Sequence, residues 1–206
     1  MTHMLHRKGT WAGVEDDYPV LTIRARGYND AGLSRMQKVL EIASRHHIVN
    51  FGDIVQGSKS SVDLEAILKS DRENTPIIHM VFTTAEDLGR FMEELKAADL
   101  GISVVASGLF EEIFRCCGRA GIEPHTASYS LGVFGRTEKL PPPDALEVTT
   151  MCGHSTVSAG LVRRLVEQVR KGKVSPDEAA EKLASLCVCG IFNPARAARL
   201  LALMAG

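Results

Sequence analysis

Seven histidines and five cysteines are spread over 206 residues, and two short stretches near the C-terminus concentrate the residues able to do chemistry. These are Met151-Cys152-Gly153-His154 and Cys187-Val188-Cys189-Gly190. In extended chain, residues two apart project to the same side, so Cys152 pairs with His154 and Cys187 with Cys189. Each stretch precedes an amphipathic helical pattern, where free N–H groups and the helix dipole favour thiolates, metals or anions. Three thiols and one imidazole match a Cys3His zinc site or an iron–sulfur cluster held by three cysteines. The spacing is neither the CxxC knuckle of structural zinc nor the ferredoxin run, which tilts the reading toward a cluster with one open iron. The expected ligands are Cys152, His154, Cys187 and Cys189.

Arg196 and Arg199 lie one helical turn apart in the pattern that follows Cys189. They are expected beside the cofactor, clamping a small anionic ligand, or on a solvated helix face. A second reading dispenses with metal and makes Cys152 a nucleophile with His154 or His125 as base. A third is non-enzymatic, a ligand sensor in which edge strands pair into a homodimer around a small molecule. The competing structural reading makes all three cysteines small buried residues that pack helices on a sheet. Cys116 and Cys117 are adjacent on a helical pattern, so they point about 100° apart and suit packing better than shared ligation. His79, within an apolar strand pattern, reads as a core histidine, and Ser130–Thr137 as strand and turn, because it lacks the lysine of a phosphate loop.

The elements that must position these groups alternate early in the chain. Val20–Arg26 has the period of two of a half-buried strand, so one sheet face is expected to meet water. Gly27-Tyr28-Asn29-Asp30 supplies a turn and N-cap, and Leu33, Met36, Val39, Leu40 and Ala43 follow at helical spacing to about His46. Ile48–Val55 and Pro76–Phe82 read as strands, with a short helix over Val62–Lys69 between them. A capping box at Thr84–Asp87 opens a second long helix, and Ile102–Ser107 is the next strand. This order is the βαββαβ plan of the ferredoxin-like α+β fold, an antiparallel sheet with helices on one face, followed by a C-terminal helical segment. A doubly wound α/β sheet is the alternative.

Further on, Phe110–Ala120 is predicted helical, Thr126–Phe134 and Ala145–Met151 are predicted strands, and a proline-rich linker separates those two. Ser158, the capping box at Ser175-Pro176-Asp177-Glu178 and Asn193-Pro194 then start three helices. The predicted organisation is an N-terminal arm over 1–18, an α/β domain over 19–140, and a last strand with the helical segment over 141–206.

The composition, 45% apolar and 24% charged, is that of a globular chain. No apolar run approaches the roughly 20 residues of a membrane span and the N-terminus lacks a signal-peptide core, so the expectation is a cytoplasmic protein with no membrane partner. The net charge of −1 divides unevenly: from Thr150 onward eight basic residues face four acidic ones, +4, which leaves −5 for residues 1–149. Aromatic residues are not interleaved with these charges, which argues against nucleic acid.

Overall fold

The computed structural model describes residues 4–24, 32–70 and 76–206. The turn and N-cap expected at Gly27-Tyr28-Asn29-Asp30 lie outside them, as do Ala25 and Arg26 of the predicted first strand. Five antiparallel strands form one sheet: β1 (Tyr18–Arg24), β2 (Asn50–Asp53), β3 (Gly57–Ser58), β4 (Ile77–Phe82) and β5 (Ile102–Ala106), in the order β3-β2-β4-β1-β5. The fold is α+β, as the sequence pattern implies, and among the described residues a fifth strand joins the four expected of the βαββαβ unit. That addition is the two-residue β3, whose register puts Gly52 against Ser58.

Cross-strand register sorts the side chains onto two faces. Val20 pairs with Met80 and Thr22 with Ile78, and Phe51 also pairs with Met80. These residues meet α1 (Gly32–Ala43), α3 (Ala85–Ala98) and α4 (Phe110–Arg119) through Met36, Val39, Leu40, Leu88, Phe91 and Ile113. Thr22 fits this apolar layer because its hydroxyl donates to the Ile78 carbonyl at 3.1 Å. A short helix, α2 (Leu64–Leu68), closes the layer with Ile67. The long helix α3 begins where its sequence dictates, with the Thr84 side chain accepting from the Asp87 N–H.

The opposite face was expected to meet water, and it does not. Leu21, Ile23, Ile77 and Val105 pack against α5 (Pro143–Thr149), α6 (Ala159–Arg170), α7 (Pro176–Ala184) and α8 (Pro194–Ala205). Leu21 alone gains about 1.5–3 kcal/mol from this burial. The alternation in β1 misled because covering a sheet face depends on segments more than a hundred residues away, which no local period records.

Two predicted strands are corrected. Ala145–Met151 falls largely in helix α5, started by Pro143 near its N-terminus and buried through Ala145 and Val148. Proline there is preset for a helix start, and packing overrides the β-branched Val148-Thr149-Thr150 run. Thr126–Phe134 is exposed irregular chain that joins no sheet among the described residues. The three C-terminal caps hold: Ser158 accepts from Leu161, Ser175 and Glu178 form a reciprocal capping box, and Asn193 accepts from Arg196.

Candidate functional site

Cys152 lies in the turn that leaves α5 rather than at the end of a strand. Its N–H donates to the Thr149 carbonyl at 3.2 Å, and its carbonyl accepts from Ser155 at 3.1 Å. That turn carries His154 to the surface above the sheet-facing layer. Cys187 lies three residues beyond the end of α7, donating its N–H to the Ala184 carbonyl at 2.9 Å, and Gly190 closes a tight turn by donating to the Cys187 carbonyl at 3.1 Å. Gly190 has φ +71°, where a side chain is strained, and a Cβ there would collide with the Phe51 backbone. Reciprocally, a Cβ on Gly52 would collide with the Cys189 carbonyl. Two glycines thus let β2 and the Cys187–Gly190 turn touch backbone to backbone, which fixes Cys189 against the sheet.

The thiols converge. Cys187 Sγ lies 3.8 Å from Cys189 Sγ, Cys189 Sγ lies 3.6 Å from His154 Nδ1, and Cys152 Sγ lies 2.8 Å from Thr156 Oγ1. All three cysteines are buried and none is in a disulfide. Cys152 shares a hydrogen bond with Cys187, which together with burial pushes the Cys152 thiol far up from its usual range. For Cys187 the bond from Cys152 acts downward, but its own bond to Cys189 and its burial outweigh it, and the thiol is raised. Cys189, at the end of this relay, is lowered: the hydrogen bond from Cys187 leads, burial opposes it, and the Ile191 backbone N–H adds to the lowering.

The expected zinc or iron–sulfur centre at Cys152, His154, Cys187 and Cys189 is corrected by this arrangement. Among the described residues no group of three or more His, Cys, Asp or Glu side chains is placed to hold a metal ion. The relay raises the Cys152 and Cys187 thiols and lowers that of Cys189. Cys152, expected as a nucleophile, is buried against Cys187 with its thiol raised, whereas the Cys189 thiol is lowered. His125 is elsewhere, lining a shallow hollow with Phe114, Cys117 and Ile122 beyond α4.

Arg196 and Arg199 are not a ligand clamp. Arg196 is fully buried and donates to Asp17 Oδ2 at 2.8 Å and to the Lys8 carbonyl at 2.6 Å. Arg199 is paired with Asp16 at 2.9 Å. Arg7 approaches Asp17 at 2.6 Å and also donates to the Ile191 carbonyl, two residues beyond Cys189. Asn193 donates to the Asp16 carbonyl at 2.8 Å, and Asn50 to the Phe192 carbonyl at 2.7 Å. Burial would raise the Asp17 carboxyl, but the Arg7 and Arg196 guanidinium groups and Asn193 hold it below its ordinary value. The N-terminal arm is therefore bolted to the segment that follows the cysteines, and the arginines are structural.

Sequence reasoning missed Thr156, Gly52 and Asp17. Thr156 carried a local signal, a hydroxyl four residues beyond Cys152; Gly52 and Asp17 carried none, since their partners are far along the chain. Comparison with known proteins finds no matching family model, no similar curated protein and no similar solved structure.

Proposed function

We propose that this chain is a thiol-redox protein in which Cys187 and Cys189 form a dithiol–disulfide couple acting on low-molecular-weight disulfides. The observation that carries this reading is the 3.8 Å separation of the two sulfurs, with Cys189 the more easily ionised. An S–S bond of about 2.05 Å requires the pair to close by about 1.8 Å, within reach of side-chain rotation. The Cys189 thiolate attacks one sulfur of the substrate, forming a mixed disulfide and expelling one thiolate. Cys187 then gives up its proton and attacks Cys189 Sγ, forming the internal disulfide and expelling the second thiolate. The substrate is reduced by two electrons, the two protein sulfurs are oxidised, and the two product thiolates take up protons. His154, exposed and 3.6 Å from Cys189, is the group that passes a proton between sulfur and solvent. Cys152 serves as the hydrogen-bond donor that sets the polarity of the relay.

Equilibration with glutathione redox buffers, followed by thiol counting and peptide mass spectrometry, tests the reading. A Cys187–Cys189 disulfide is expected to form reversibly, to vanish in Cys187→Ser, and to leave Cys116 and Cys117 reduced. A folded protein that keeps all five thiols free under oxidising glutathione would sink it.

A further inference from the structure

The second unexplained feature lies away from the thiols, in the segment that was predicted to be a strand and is not one. Over Thr126-Ala127-Ser128-Tyr129-Ser130-Leu131-Gly132-Val133, apolar and polar residues alternate without interruption, and no charged residue occurs from Thr126 to Gly135. All of these residues are exposed; Tyr129 is 67% accessible, Leu131 79% and Phe134 78%, values at which this pattern gains nothing from being apolar. Tyr129 is held near Phe110, the rings 6.5 Å apart edge to face, and Phe110 stacks on Phe114 at 5.5 Å. Both phenylalanines are about half exposed.

Close by in the chain is a surface of matching character. β5 is the last strand of the sheet on its side, so one row of its N–H and C=O groups has no strand partner among the described residues. The Ser107 N–H donates to the Pro19 carbonyl, and Leu21 lies opposite Val105. By the alternation of an antiparallel ladder, the N–H groups of Val104 and Ala106 point outward from that edge. Sheet edges are ordinarily guarded by lysine, proline or a bulge. Ile102-Ser103-Val104-Val105-Ala106 has neither a charge nor a proline. An uncharged open edge and an uncharged exposed segment can meet without either losing a solvated charge.

We propose that two copies of this chain exchange these segments, residues 126–134 of each adding as an outer strand to β5 of the other. The exchange is isologous, as a twofold dimer requires. Its extent is adequate: the aromatic rings of Tyr129 and Phe134 bury about 150–250 Å² each. With Leu131 and Val133 and the surface they cover on the partner, two such strands reach the roughly 1,200 Å² of a stable interface.

Light scattering combined with residue-resolved hydrogen exchange tests this. At tens of micromolar the wild-type protein is expected to be a dimer with slowly exchanging Val104 and Ala106 amides. Leu131→Pro sets a residue that disfavours strand pairing in the middle of an exposed segment, and it is expected to keep the wild-type circular dichroism, to become monomeric, and to lose that protection at least tenfold. Leu131→Asp, which charges the strand without altering its backbone, is expected to give the same result. A monomeric wild-type protein, a dimer whose Val104 and Ala106 amides exchange freely, or a dimer that persists in both folded variants overturns the proposal.

Discussion

Both layers that flank the sheet contain buried cysteines, and they put them to different use. On the α1–α3–α4 side Cys116 and Cys117 are 3% and 6% exposed; on the other side Cys152, Cys187 and Cys189 are 2%, 0% and 0% exposed. Burial therefore does not distinguish them. What differs is the neighbour each sulfur finds. Cys116 spends its S–H on the Ala85 carbonyl at 3.2 Å, and burial raises both its pKa and that of Cys117. Such thiols behave as small apolar side chains. In the other layer the sulfurs find each other, and the hydrogen-bond relay plus the Ile191 N–H reverse the effect of burial at Cys189. A buried cysteine becomes chemically distinct when its neighbours donate hydrogen bonds to it, and not through burial itself.

The largest way to break this contrast is to remove the carboxylate that secures the segment after the cysteines. Asp17→Asn removes the carboxylate that Arg7 and Arg196 share, leaving Arg196 only its longer contact to Glu147 at 3.5 Å, and is expected to cost about 3–5 kcal/mol in denaturant unfolding. The pH dependence has a definite sign. Asp17 is depressed in the folded state, so its contribution is present above the ordinary value of 3.8 and is lost as pH falls through the lower folded value. The acid limb of the wild-type stability curve should therefore be steeper than that of the variant.

Intermediate in size is Gly52→Ala. Its methyl group must displace the Cys189 carbonyl, an overpacking expected to cost roughly 1–3 kcal/mol. The contrast is sharpened by where the damage falls. The spacing of Cys187 and Cys189 should be disturbed, seen as loss of their glutathione-dependent disulfide, while the Cys116–Ala85 contact stays intact. Gly160, where a Cβ meets nothing within 4 Å, supplies the control substitution.

The smallest effect is spectroscopic. Followed by cysteine ¹³Cβ chemical shift against pH, Cys189 should ionise below 9.0 and Cys116 above it. Cys187→Ala should move Cys189 upward by removing its principal donor and leave Cys116 where it was. Equal titration of the two thiols in the wild-type protein would erase the distinction between the layers.

Much of the local structure was legible in the residues. Thr84, Ser158, Ser175 and Asn193 each announce a helix start, because a cap satisfies N–H groups within three residues and so leaves its mark in adjacent sequence. The motifs at Cys152–His154 and Cys187–Gly190 stood out by composition and spacing, but the metal centre read from them is not formed among the described residues, because ligand geometry depends on distances in space that spacing along the chain does not record. Arg196 and Arg199 were misread for the converse reason. Their helical spacing is local, but the fate of their charge is set by Asp17 and Asp16, nearly the whole chain away.

The sequence by itself determined the order of most elements, the caps that start the later helices, the α+β class and the spacing of one thiol–imidazole pair and one thiol pair. Tertiary structure alone decided that both sheet faces are covered, that Ala145–Met151 belongs largely to a helix, and that Thr126–Phe134 is left without a sheet among the described residues. It also decided which thiol is acidic. Periodicity and capping act over a few residues, whereas the packing of the cysteine turn depends on Gly52 against Cys189 and on Arg7 at the Ile191 carbonyl, which only folding brings there.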